Sequence, residues 1–361
     1  MKTKRIISLT MIIVVFGLIC VYSSSHIWAL YKYDDSFYYI KRQAIFACIG
    51  IVAMFVTSKI DYHIYKKYYK QIIGVCFLLL ILVLIPGLGV VRGGSRSWFN
   101  FGVFALQPSE LFKIGMIIYA AVYIEKNYYH MKKLKYSFKL LLVMGLGFLL
   151  IMLQPDFGSG IVMACAIVVM LIVSPFPFMY FVFLGILAII GIIVMILSAP
   201  YRMERILSFL NPFQDPLGSG FQAIQALYAI GPGGLLGVGF DNSIQKHFYL
   251  PEPQTDFIFA IVAEEFGFIG AVTLIGIYLW LFKTVLSVSK HVKDLFGSLL
   301  MIGIISMIGI QTLINLGVVV GLFPVTGVTL PLMSYGGTSL TITLMSIGIL
   351  INISKSSNCV L

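Results

Sequence analysis

Ten apolar runs follow one another along the chain, at 6–22, 43–58, 72–89, 110–125, 140–154, 159–174, 178–198, 257–282, 297–321 and 336–354. A bilayer-crossing helix needs about 20 mostly apolar residues, fewer where the membrane is thin. No soluble core absorbs ten such runs. With 60% of its 361 residues hydrophobic and 11% charged, the chain is expected to be an all-α integral membrane protein. The expected architecture is one polytopic domain over 1–361 with about ten transmembrane helices. The fifth and sixth runs are the shortest, so the count carries a tolerance of one pair. Residues 1–22, with Lys2, Lys4 and Arg5 ahead of an apolar stretch, look like a signal peptide. Nine further runs follow, so this stretch reads as an uncleaved first span.

Orientation follows from lysine and arginine, which accumulate on the cytoplasmic side. With the N-terminus inside, the inner segments hold sixteen of the 25 basic residues and the outer segments eight, with Lys113 inside a span. Acids run the other way. Both termini are therefore expected in the cytoplasm, with a large extracytoplasmic loop, 199–256, between spans seven and eight. The net charge of +11 is a topology signal, and no nucleic-acid partner is implied. The five cysteines follow no metal or redox spacing and read as small buried hydrophobes. The five histidines are isolated, so no Cys/His metal site is encoded.

Against this background a few polar residues stand out, because an acid at bilayer depth is costly and marks a functional site by default. A proline-stiffened approach, 251–255, delivers Asp256 to the start of the eighth run, with Glu264 and Glu265 two turns further in. Asp256 has two readings: an N-cap at the positive end of a helix, or a general base. Asparagine would cap nearly as well but could not act as a base. At 1.5 Å per residue Glu264 lies about 12 Å further along the axis, so the two acids are not expected to share one proton transfer.

Elsewhere, Glu110 and Lys113 share a helix face at i, i+3. They form either a structural ion pair or part of a site. Asp156, after the fifth run, fits a turn or a polar cavity equally well. Gln311 with Asn315, and the Ser339, Thr343, Ser346 stripe, read as polar faces that bond neighbouring helices. The glycines between Gly231 and Gly239 do not make a dinucleotide fingerprint, since Leu236 stands at the sixth position and no βαβ unit surrounds them. They read as permission for tight backbone turns. The stretch 90–107, with Arg92, Arg96 and Trp98, is expected at the membrane interface.

Taken in order, these blocks resemble the SEDS family (shape, elongation, division and sporulation: RodA, FtsW and SpoVE). The resemblance rests on 250–260 with Glu264 to Gly267, on 95–99 with 107–110, on 154–158, and on Asn315 through 324–327, Leu330, Pro331 and 334–337. Thr338 and Phe266 depart from the usual pattern. The wording around 251–255 and 94–98 is closer to the division and sporulation branch. The resemblance implies a peptidoglycan glycosyltransferase that joins lipid II units on the outer face of the bacterial cytoplasmic membrane. It implies work beside a class B penicillin-binding protein and other membrane components of the division or sporulation complex, with the essential acid at Asp256. Arg96, Arg202 and Arg205 are then expected on the departing pyrophosphate, with a divalent cation, Mg or Mn, as an optional companion. Trp98 is expected to stack on a sugar or to anchor its loop, and Glu252 to contact substrate. Glu110, Lys113, Asp156, Glu264, Glu265, Asn315 and Ser334 are expected to build the cavity. A lipid II transporter and a non-catalytic scaffold are the rival readings.

Overall fold

In the computed structural model the described residues are 2–358, apart from 93, 103, 198, 199 and 219. The side chains of 92, 188, 192, 194–197, 200–202, 205, 357 and 358 also fall outside that description. Each apolar run folds as a helix, as backbone without access to water requires. In order these are α1 (Lys2–Tyr33), α2 (Tyr38–Thr57), a short α3 (His63–Lys67), α4 (Tyr69–Leu82), α5 (Pro108–Lys126), α6 (Leu134–Met152), α7 (Phe157–Ile172) and α8 (Phe178–Leu197). Then come α9 (Pro200–Leu210), α10 (Phe221–Gly233), α11 (Ile258–Ser289), α12 (Leu295–Val319) and α13 (Gly337–Asn358). Six of them, α1, α2, α6, α11, α12 and α13, are long and apolar enough to cross a membrane. The chain is a multi-pass membrane protein.

Several boundaries differ from the sequence reading. Helix α1 continues eleven residues past Tyr22, where the apolar run ends, because the serines that follow find partners inside the protein. Ser24 and Ser25 donate back to the carbonyl of Val21, and Ser23 donates to Glu265. The third run stops at Leu82. The stretch beyond it is a small antiparallel sheet, β1 (Val90–Arg92), β2 (Ser95–Asn100) and β3 (Ala105–Leu106), with Val91 opposite Arg96 and Phe99 opposite Leu106. The long segment after α8 contains two helices, α9 and α10. Cys20 and Cys76 are buried as expected, but Cys48 and Cys165 are exposed. The expectation of burial therefore fails for these two, which lie on the outer faces of α2 and α7.

Side-chain bonds set the helix pairing. Lys2 donates to Ser287 at one end of α1 and Ser23 to Glu265 at the other, so α1 and α11 run antiparallel. Gln43 donates to the carbonyl of Ser334 and Thr57 to that of Met345, so α2 and α13 run parallel. In lipid, such bonds and close packing replace the hydrophobic effect as the force between helices. Helix α8 stands at the rim, with Val182, Phe183, Ile186, Leu187, Ile189 and Ile190 exposed.

One interruption matters for the site. Helix α11 breaks at Gly267, where φ 65° and ψ −164° suit only glycine. The helical bonds lost there are replaced from outside. Val238 and Gly239 donate to the carbonyls of Glu264 and Glu265, and Phe268 and Ile269 donate to those of Gly234 and Leu235. A Cβ on Gly237 (φ 84°) would lie 2.1 Å from the Glu265 carbonyl oxygen. The glycine run therefore serves close backbone approach to a helix.

Candidate functional site

Asp256 lies half-buried at the approach to α11. The N-cap of that helix is Phe257 and has no side-chain capping bond, so the capping role weighed for Asp256 is corrected. Its carboxylate oxygen Oδ1 accepts from the Thr255 hydroxyl at 2.9 Å. Its backbone is held separately: Asn315 Nδ2 donates to the Asp256 carbonyl at 2.6 Å and to the Val328 carbonyl at 2.8 Å. One buried amide on α12 thus ties the approach to α11 to the segment before α13. The Thr255 hydroxyl and amide both bond the carbonyl of Glu252, closing a turn in which Glu252 takes φ 43° and stays exposed.

One turn before Asn315 on the same helix, Gln311 accepts from Lys113 at 3.1 Å and donates to the carbonyl of Thr329 at 3.2 Å. Lys113 also pairs with Glu110 at 2.8 Å, both side chains being nearly inaccessible. The pair is paid for by geometry: two charges at this depth are tolerable only together and hydrogen-bonded. Asp156 caps α7 by accepting from the amide of Ser159, and it also accepts from Gln107 and Ser109 at the head of α5. The Ser334 hydroxyl accepts from the amide of Leu330, while its carbonyl accepts from Gln43. The neighbouring Tyr335 amide donates to the carbonyl of Gln254, two residues before Asp256. The structure therefore gathers Asp256, Asn315, Ser334, the Glu110–Lys113 pair and Asp156 at one end of the bundle.

Glu264 and Glu265 belong to a different arrangement. Glu264 is fully buried and accepts from the Ser243 hydroxyl and the Ile244 amide. Glu265 accepts from Ser23 and from Lys246 Nζ at 3.3 Å, and Lys246 also bonds Asp241. Sequence reasoning missed Lys246, which appeared only as one of the outer basic residues. The signal lay in the acid excess of those segments, since a buried carboxylate needs a cation.

Arg96 and Trp98 share one face of β2, since residues two apart do so. Ser95, on the alternate face, donates to the carbonyl of Gln154 and ties the sheet to the Asp156 turn. Arg202 and Arg205 lie on α9, with side chains outside the described residues. Among the described residues no three His, Cys, Asp or Glu converge to hold a metal ion. Of the Ser339, Thr343, Ser346 stripe, Ser346 bonds within its own helix, to the carbonyl of Ile342. Chemically, the end of the bundle offers a half-buried carboxylate on a fixed backbone, just ahead of a helix start with no side-chain cap.

A family model described as a cell cycle protein, of FtsW, RodA and SpoVE type, matches residues 3–359. Stage V sporulation protein E of Bacillus subtilis (strain 168) is 50% identical over 364 residues, covering 99% of this chain and 100% of that protein. A probable peptidoglycan glycosyltransferase FtsW of Geobacter sp. (strain M18) is 38% identical, covering 97% of this chain and 95% of its own. Among solved structures, a chain described under the structural coordination of polymerization and crosslinking by a peptidoglycan synthase complex superposes with a TM-score of 0.81. It is 31% identical and covers 98% of this chain and 97% of its own.

Proposed function

The chain belongs to the FtsW/RodA/SpoVE family of cell cycle proteins, and from that premise we propose that it is a peptidoglycan glycosyltransferase polymerising lipid II at the outer face of the cytoplasmic membrane. The observation that carries the residue assignment is the clamp on Asp256: Asn315 fixes its main chain while the carboxylate stays half-buried at the mouth of α11. A base must keep its position yet meet the proton it takes.

In the proposed step a hydroxyl of the acceptor sugar attacks the anomeric carbon of the lipid-linked donor. The new C–O bond forms as the bond to the pyrophosphate breaks. The hydroxyl proton passes to the Asp256 carboxylate, and undecaprenyl pyrophosphate leaves with the bonding electron pair. The donor is α at that carbon and the glycan β, so one inverting displacement accounts for the stereochemistry. Arg96, Arg202 and Arg205 are assigned to the departing pyrophosphate, because guanidinium pairs phosphate oxygens bidentately. A divalent cation would be held mainly by the pyrophosphate with one or two carboxylates, as magnesium commonly is. Trp98 and Glu252 are assigned to the sugar and its peptide. The Glu110–Lys113 pair and Asp156 shape the wall behind the acceptor.

A class B penicillin-binding protein is proposed as the partner that crosslinks the product. Sporulation is proposed as the setting, since the sporulation protein is the more similar of the two relatives described above. The test uses purified full-length protein and labelled lipid II. Glycan strands that disappear with Asp256→Asn, while the protein stays folded, support the assignment. Normal polymerisation by Asp256→Asn would remove the base. Movement of lipid II across vesicles without polymer would favour a transporter, and neither activity a scaffold.

A further inference from the structure

At the opposite end of the bundle from Asp256, a cavity of about 520 Å³ opens between the start of α4, the end of α5 and the start of α6. Four lysines line it: Lys70, Lys126, Lys135 and Lys139. No carboxylate is among its lining residues, and none of the ion pairs among the described residues involves these lysines. Their neighbour Lys66 is different, pairing with Glu125 at 2.7 Å. The walls are built rather than loose. The Tyr123 hydroxyl donates to the Tyr136 carbonyl at 2.9 Å, joining α5 to α6, and Asn127 donates to the Tyr123 carbonyl at 2.9 Å. Lys126 stands 4.7 Å from the ring centroid of Tyr69.

The charge rule for membrane topology accounts for how many lysines lie at this end, but not for four of them meeting around one tyrosine-walled cavity. A basic pocket between membrane helices is suited to a phosphate-bearing headgroup. What lies beside it favours a lipid over a soluble anion. From the rim, Leu134, Phe138, Leu142, Leu146 and Leu149 form an exposed stripe down α6, at the spacing of one helix face. An acyl chain would lie along that stripe with its headgroup among the lysines. We propose that this cavity seats the headgroup of an anionic phospholipid of the inner leaflet, separately from the polymerising end.

The test is native mass spectrometry of the full-length protein in detergent, with phosphatidylglycerol or cardiolipin titrated against phosphatidylcholine. Anionic lipid is expected to bind preferentially, and Lys135→Gln with Lys139→Gln to weaken it about fivefold per lysine removed. Arginine at the same two positions should retain binding, which separates lost charge from lost fold. Lys132→Gln with Lys133→Gln removes equal charge outside the cavity and should leave binding unchanged. Equal weakening by both glutamine pairs would overturn the site in favour of general surface charge. So would retention of full affinity by Lys135→Gln/Lys139→Gln. Full displacement by inorganic phosphate would overturn the lipid assignment and leave a soluble anion as the occupant.

Discussion

Asp256 and Glu264 are two acids eight residues apart around the start of one helix, and the protein treats them in opposite ways. Glu264 is fully buried, and both its oxygens accept hydrogen bonds from the 243–244 segment. Its neighbour Glu265 is held by Ser23 and Lys246. Asp256 differs in its backbone, whose carbonyl is fixed by the buried amide of Asn315, and in a side chain that is half-buried where Glu264 is fully enclosed. A carboxylate whose oxygens are consumed by permanent donors holds structure together. Asp256 is instead placed by its main chain, with its carboxylate half-buried. Acidity and depth alone do not tell the two apart.

The contrast can be broken by experiment. Asp256→Asn is expected to lower polymerisation about 10²- to 10⁴-fold, the usual contribution of a general base, with Tm in detergent unchanged. A large fall in Tm would make Asp256 structural and erase the distinction. Lys246→Met should do the reverse, costing about 3 to 5 kcal/mol of stability by leaving Glu265 buried beside an uncompensated site. Thermal unfolding followed by fluorescence would measure it, and a neutral result would mean that Ser23 suffices. Asn315→Ala sharpens the clamp. Slight misplacement of a reacting group is expected to lower the polymerisation rate about 10- to 100-fold, read in single-turnover assays with lipid II.

Asp35 supplies the baseline of an exposed acid. Its carboxyl is held below the ordinary range by a hydrogen bond from Lys41 and by the Phe37 amide. Because the folded value is the lower one, its stabilisation is present above the unfolded pKa, about 3.9, and is lost as pH falls through the folded value. Tm of Asp35→Asn and of the unmodified protein should therefore converge at low pH and differ only slightly at neutrality.

Much of the bundle was legible because burial in lipid leaves a blunt signal: every apolar run became a helix. Boundaries were less so where polar residues found partners within the fold. Ser23, Ser24 and Ser25 look like a helix end until the carbonyl of Val21 and the side chain of Glu265 are seen beside them. The sheet over 90–106 and the helices α9 and α10 were hidden by glycine and proline, which signal turns without saying what lies between them. At the site, Asp256, Asn315 and the Glu110–Lys113 pair announced themselves as polar residues in apolar surroundings. Gln311 was read as bonding a neighbouring helix, and it does, but its partner was not foreseen. Its bond to Lys113 joins residues 198 positions apart, and no local pattern encodes such a meeting.

The break at Gly267 makes α11 two rods rather than one. The rod nearer Asp256 ends in the carbonyls of Glu264 and Glu265, the other begins with the amides of Phe268 and Ile269, and all four are fastened to 234–239. That segment acts as a splint across a joint. It supplies, from outside, the backbone partners that the two rods cannot give each other at the break. The far rod meanwhile keeps its seat against α1, where Lys2 meets Ser287.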